Sequence, residues 1–308
     1  MMMTTTTTKM RKKRVEWNLI KGFCVLLHIS KNLMIFFSYR AGKVRMSKDS
    51  RRLVGPEGSV AYKAYIKDTH ESKKGRGGRG KDEHRKVFLK TNVITQAKGS
   101  AYLEQGGTKV MVGVYGPREV AHRRDFSMKG QLTAELKFAP FACIERRGHQ
   151  ADAEEDELGI ILGEALSSTV CLHRYPKSCI EVFVTVLEDD GSVLAAALTA
   201  SGLALANAGV HMFDLVVGAA VSLETDDQIR VDPERGEGWG EGDKGEVTIG
   251  LLPTLDQVVA CLAEGRLPPP KLASALASAS SAASALLPVV QQTIADNVRK
   301  RKLEEAQQ

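Results

Sequence analysis

From residue 92 onward, apolar and polar positions repeat with periods that assign the elements one after another. Ala97–Glu104 and Thr108–Tyr115 are apolar-rich runs joined by Gln105-Gly106-Gly107, a spacing that predicts a hairpin whose glycines supply the positive φ of the turn. Leu132, Ala134, Leu136 and Phe138 alternate with Thr133, Glu135 and Lys137, the period of a half-buried strand. Leu158, Ile161, Leu162, Ala165, Leu166 and Thr169 share one helical face. The acids from Asp152 to Glu157 precede them, at the end where a helix dipole favours negative charge. Cys179–Leu187 reads as a buried strand, and after Glu188-Asp189-Asp190-Gly191 a small-residue helix opens at Ser192 and ends at Gly209. Asp189 or Ser192 is placed to cap that helix, and its many alanines allow close approach to a sheet or a neighbouring subunit.

Asp214–Leu223, Glu246–Leu252 and Gln257–Leu262 read as further strands, with Glu234–Glu246 as a polar excursion between the first two. Beyond Pro268-Pro269-Pro270, a long Ala/Ser-rich helix keeps Leu272, Leu276, Ala279, Ala283, Leu286, Val290, Ile294 and Val298 in helical spacing. Pro288 is expected to kink or interrupt it, and Arg299–Lys302 suit its negative end. Hairpins followed by helix, strand, helix, strands and a terminal helix predict an α+β fold, a split βαβ domain with helices packed on mixed sheets.

Charge divides the chain in two. Residues 1–90 hold 23 of the 43 Lys+Arg and 7 of the 37 Asp+Glu, a balance of +16; the remaining 20 and 30 give residues 91–308 a balance of −10. The expected organisation is a basic, largely disordered leader over 1–90 and a globular domain over 91–308. The leader's apolar run is broken by Lys21, His28, Lys31 and Asn32, short of the ~20 residues a spanning helix needs, so no membrane partner is expected. Residues 1–45 read as a gene-model extension upstream of Met46, an organelle presequence, or a functional arm. Residues 71–90 form a Gly/Arg-rich linker in which Arg76-Gly77-Gly78-Arg79-Gly80 is either solvated or an RNA contact. Five cysteines without a C-x-x-C pair and seven histidines without a ligand-spaced pairing indicate neither a zinc site nor a disulfide framework, and Cys179 and Cys261 read as small core residues. No metal and no cofactor is expected.

The stretch Val184–Gly209 raises the chemical question. A strand that delivers carboxylates to a Gly-Ser turn at a helix start has the form of a phosphate-handling site, yet it contains no Lys or Arg. Three segments resemble the RNase PH family. Lys98–Glu119 resembles its G-S-A strand, G-x-T-K-V hairpin and G-P-R-E turn; Leu136–Gly148 resembles its P-F-x-x-x-E-R-x-x-G segment; Val184–Leu223 resembles its D-G-G-T-R strand–helix core and following strand. The resemblance runs from about Asn92 to Val298, with the motifs in order, and is nearest to the non-catalytic PH-like ring subunits of the eukaryotic RNA exosome.

That resemblance implies an RNase PH-like fold of the ribosomal protein S5 domain 2-like kind. It implies a hetero-hexameric ring with other PH-like subunits, S1/KH-type cap proteins above it, RNA as a partner, and a place in nucleus, nucleolus and cytoplasm. Active members cleave RNA with inorganic phosphate and a divalent metal, and need cations to hold two anions together. Here the D-G-G-T-R motif is reduced to Asp189, Gly191 and Ser192, with Asp190 in place of the first Gly and Val193 in place of the Arg. Acids occupy the helix start at 152–157, and Val182, Phe183 and Val184 occupy the strand where active members place a second Asp, with Glu181 out of phase. The expectation is a degenerate, non-catalytic site. Arg146 and Arg147 in the E-R-x-x-G loop, and Arg123 and Arg124 after the G-P-R-E turn, are the RNA-contact candidates. Two rival readings are an active phosphate-dependent 3′-to-5′ exoribonuclease and a free-standing RNA-binding protein working through the basic leader.

Overall fold

The computed structural model describes residues 78–120, 127–144, 146–148, 150, 152–223, 228–235, 245–265 and 267–307. Five strands form one sheet in the order β1-β2-β3-β5-β4: β1 Val87–Thr91, β2 Gly99–Gln105, β3 Thr108–Glu119, β4 Gln131–Phe138 and β5 Ser178–Glu188. Its pairs are antiparallel except β4 with β5, which are parallel and linked through helix α1, Ala153–Thr169. The two parallel strands are direct neighbours, so the βαβ unit is not split by an intervening strand, although the α+β class and the mixed sheet are as expected. A second, antiparallel sheet runs β7-β6-β8-β9, from Val217–Leu223 (β6), Ile229–Val231 (β7), Gly245–Leu252 (β8) and Gln257–Gly265 (β9).

Helix α2, Val193–Asn207, lies between the sheets, and α3, Pro269–Gln307, covers the far side of the second sheet. This layering explains two different patterns. In β5, Ile180, Val182, Val184 and Val186 face the core while Glu181, Phe183 and Thr185 face outward, so the sequence alternates. All seven residues of β6 are buried because α2 packs on one face and α3 on the other, and its sequence is apolar throughout except for Ser222. The approach of α2 requires glycine at two contacts: a Cβ on Gly99 would lie 2.4 Å from the Ala204 carbonyl oxygen, and one on Gly218 would lie 2.3 Å from that of Ala195.

Several boundaries differ from the sequence reading. The structured body begins before residue 91: Val231 N donates to the Lys81 carbonyl, Arg79 pairs with Glu234 at 3.0 Å, and β1 occupies part of the expected linker. Arg79 is therefore bound to the body, whereas Arg76 lies outside the described residues. The strand expected from Asp214 starts at Val217, because the Asp214 carboxylate accepts from Leu215 N, Thr254 N and Thr254 Oγ1 and fixes a loop there. Strand β9 extends three residues past Leu262. Helix α3 continues through Pro288, whose exposed position turns the ring and the lost backbone bond toward solvent. Cys261 is buried, and burial pushes its thiol up to about 11; Cys179 is only half-buried.

Candidate functional site

The turn that ends β5 is held from four sides. Asp189 N donates to the Ala142 carbonyl at 3.0 Å, and Gly191 N donates to Asp189 Oδ1 at 3.1 Å. Gly191 has φ +95°, and a Cβ there would meet the Pro233 carbonyl oxygen at 2.8 Å, so the position requires glycine. Ser192 also adopts a left-handed conformation, with φ +56°. Its hydroxyl donates to the Pro233 carbonyl and makes no capping bond, so neither it nor Asp189 caps α2 as expected.

Beneath the turn lies a buried ion pair. Arg85 Nε donates to Asp232 Oδ2 at 2.9 Å and Nη2 to Oδ1 at 2.7 Å, while the Arg85 backbone N also donates to Oδ2. The same guanidinium donates to the carbonyls of Asp190 and Gly191, and Thr108 Oγ1 donates to the Gly191 carbonyl at 2.7 Å. Burial alone would raise the Asp232 pKa, but the Arg85 hydrogen bonds and charge outweigh it and hold the carboxyl below the usual aspartate range. Arg85 joins β1's approach, the β2–β3 hairpin, the turn and the end of β7 at one guanidinium. The hairpin glycines make room for it: a Cβ on Gly106 would strike the Arg85 side chain, and one on Gly107 would strike Asp190.

On the solvent side the structure brings together residues that the sequence separates. Asp189 Oδ2 accepts from Arg235 Nη1 at 2.5 Å and from the Cys143 thiol at 3.7 Å. Arg147 Nε donates to Cys143 Sγ at 3.1 Å, its Nη2 donates to Glu154 at 3.3 Å, and its guanidinium lies 3.9 Å over the Phe138 ring. Arg147 Nη1 stands 3.8 Å from Asp152. The pocket is thus not stripped of cations, as the sequence alone suggests. It holds two guanidiniums, but Asp189, Glu154 and Asp152 face them, so their charge is answered inside the protein.

The acids at the start of α1 divide their roles. Asp152 and Glu155 form a capping box, and the buried Glu155 carboxylate also accepts from Phe138 N at 3.0 Å, tying α1 to the end of β4. Asp156 and Glu157 are exposed. The turn does not fit a divalent metal. Asp189 is occupied by Arg235 and Gly191, Val182 and Val184 point into the core, and Glu181 lies on the opposite face of β5, 3.8 Å from Arg118. Among the described residues no three His, Cys, Asp or Glu side chains converge as a ligand set.

Of the RNA-contact candidates, Arg146 is exposed and Arg147 is packed, its side chain 17% accessible. Arg123 and Arg124 lie outside the described residues. Arg235 and Arg85 escaped sequence reasoning: one sits at the edge of a polar excursion, the other in an apparent linker. Only the adjacent Asp232-Pro233, an acid beside a turn residue, hinted at a fixed structure there.

A strand–turn–helix site between a mixed sheet and an antiparallel one, with the motif order found above, defines a class, and comparison with known proteins agrees. Residues 83–211 match the 3′ exoribonuclease family, domain 1, known as RNase PH, and the chain belongs to that family. It is 39% identical over 277 residues to the exosome complex component MTR3 of Homo sapiens, covering 83% of this chain and 98% of that protein. It is 38% identical over 203 residues to the exosome complex component Rrp41 of Pyrobaculum neutrophilum, covering 65% of this chain and 80% of that protein. Among solved structures it is similar to the Archaeoglobus fulgidus exosome with RNA bound to the active site, with a TM-score of 0.60 and 27% identity over 68% of this chain and 90% of that one. Rice Rrp46 shares the fold, with a TM-score of 0.62 at 23% identity over 71% of this chain and all of that one.

Proposed function

We propose that the protein is a non-catalytic RNase PH-like subunit of a eukaryotic RNA exosome ring. In that ring it pairs with other PH-like chains beneath S1/KH-type cap proteins and helps form the channel for RNA undergoing 3′-to-5′ processing and decay. The match over nearly the whole length of a human exosome component supports the assignment to the ring. The same reading places the protein in nucleus, nucleolus and cytoplasm.

The observation that carries the non-catalytic part is the Asp189–Arg235 pair, with Val193 where active relatives of this motif carry an arginine. Phosphorolysis brings a phosphate against a phosphodiester, and a single preorganised contact to developing charge is typically worth about 3 kcal/mol. Arg147 and Arg235 are the cations nearest the turn, and both are bound to internal carboxylates, so anions entering the pocket must displace existing ion pairs. Arg146, exposed in the same loop as Arg147, is the residue there that remains open to passing RNA phosphates. Incubated with RNA, Mg²⁺ and inorganic phosphate, the purified chain is expected to release no nucleoside diphosphates. Their release in proportion to this chain, and its loss in an Asp189→Ala variant, would establish the active exoribonuclease instead.

A further inference from the structure

The chain holds two runs of four consecutive cations, Arg11–Arg14 and Arg299–Lys302. The first lies outside the described residues; the second stands in α3, in a body whose residues 91–308 balance to −10. Its position is not the one a helix dipole would give it. The helix runs on to Gln307, its last turn contains no basic residue, and Glu304 and Glu305 follow the cations. Cations favour the negative end of a helix and acids disfavour it, so Arg-Lys-Arg-Lys before Glu-Glu is the reverse of the order that helix stability selects.

Packing does not account for the run either. Among the described residues Val290 is the last buried one in α3, and from Val298 to Leu303 every residue is exposed, the two apolar ones included. Asn297 Nδ2 donates to Thr91 Oγ1 and, at 3.0 Å, to Asn207 Oδ1, which fastens the helix to the body. Beyond it, Arg301 Nη2 donates to the same Asn207 oxygen, and Arg299 pairs with Asp296 at 3.2 Å. Lys300 and Lys302 alternate with these two and are exposed. A helix end without a buried apolar stripe opens readily, because packing rather than propensity supplies most helical stability.

Shape then decides the partner. With 3.6 residues to the turn, four consecutive side chains point around most of the helix, and no single surface meets all of them. Opened into a strand, the same residues follow one another at about 3.3 Å and bring all four cations into one groove. Single-stranded nucleic acid is held by cations together with stacking rings, and α3 contains no aromatic residue. Short contiguous Lys/Arg runs are the signals that nuclear-import receptors read. We propose that Arg299–Lys302 is a nuclear-import signal, whose four cations enter the acidic groove of an import receptor as an extended peptide when the end of α3 opens. The inference rests on the reading above that places the protein partly in the nucleus, and it names the segment responsible. The Asn297 contacts lie before the run, so the body stays folded when the run is taken up.

The test titrates the purified, fluorescently labelled full chain with an import receptor of the importin-α type. Wild type is expected to bind, with an affinity that falls as salt rises. A Lys300→Gln, Lys302→Gln double variant leaves the Asn207 and Asp296 contacts in place and is expected to bind about thirtyfold more weakly. Lys300→Arg with Lys302→Arg is expected to keep the wild-type affinity. In cells the tagged full chain is expected to accumulate in nuclei and the glutamine variant to shift to the cytoplasm. Wild-type receptor affinity in the glutamine variant overturns the proposal, because the receptor then reads another segment. So does a glutamine variant that keeps the receptor but loses affinity for a labelled oligouridylate, because the run is then a nucleic-acid contact. A wild-type chain that stays in the cytoplasm refutes the nuclear placement and the signal with it. The titration uses the chain alone, so loss of receptor binding in the glutamine variant supports the signal even where the chain enters no ring.

Discussion

Asp232 is 1% accessible, and its carboxylate accepts both side-chain and backbone bonds from Arg85. A buried carboxylate of this kind is costly alone and stable only with its partner, so removing one member costs more than the pair contributes. Asp232→Asn is therefore expected to lower the stability of the full chain by about 3–5 kcal/mol in urea denaturation near neutral pH. The folded pKa of Asp232 is depressed, so the pair contributes its full stability above the ordinary aspartate value of about 3.9. That contribution is lost as pH falls through the lower folded value. Arg85, whose pKa is raised by Asp232 despite burial, stays charged throughout. The gap between wild type and variant should narrow below about pH 4; a gap that does not change with pH would refute the ion pair as its source. None of this was legible in the sequence. Arg85 and Asp232 are 147 positions apart, and one of them sits among glycines and charges that carry no periodic signal. Asp189, Gly191 and Ser192 were legible as a turn, but the hydroxyl's partner and the guanidinium that closes the turn lie in the segment after β7, which only the tertiary fold brings near.

Among the elements, those with one clear face were read best. The alternation of β4 and β5 and the helical stripe of α1 report a core on one side and water on the other, and their boundaries fall within a residue or two of expectation. Strand β7 has three residues and β1 only a weakly alternating five, too short for a period to show. Pro288 misled for a different reason. It removes one backbone donor and crowds the preceding turn, but the Ala275, Ala279, Ala282, Ala283, Leu286 and Val290 side of α3 is buried, and that packing carries the helix through. The local cost remains, so Pro288→Ala is expected to stabilise the full chain by up to about 3 kcal/mol, seen as a higher urea midpoint with unchanged denaturant dependence. A variant less stable than wild type would mean that the proline ring itself makes a packing contact.

For the whole molecule, composition indicated a basic leader and an acidic body, but the division between them falls earlier in the chain than the charge balance suggests. Lys81, Arg79 and Arg85 belong to the folded body by their bonds to the end of β7 and the segment after it. The body then keeps an enzyme's architecture, with a strand, a glycine turn and a buried helix in place. Beside the Asp189 turn, Arg147 pairs with Glu154 and Arg235 with Asp189. The proposed reading is that such a molecule works as part of an assembly rather than by its own chemistry. Native mass spectrometry of the affinity-purified full chain tests this most directly. The account predicts one copy of this chain in a multi-subunit particle with other RNase PH-like chains; recovery of the chain alone, as a monomer, would contradict it.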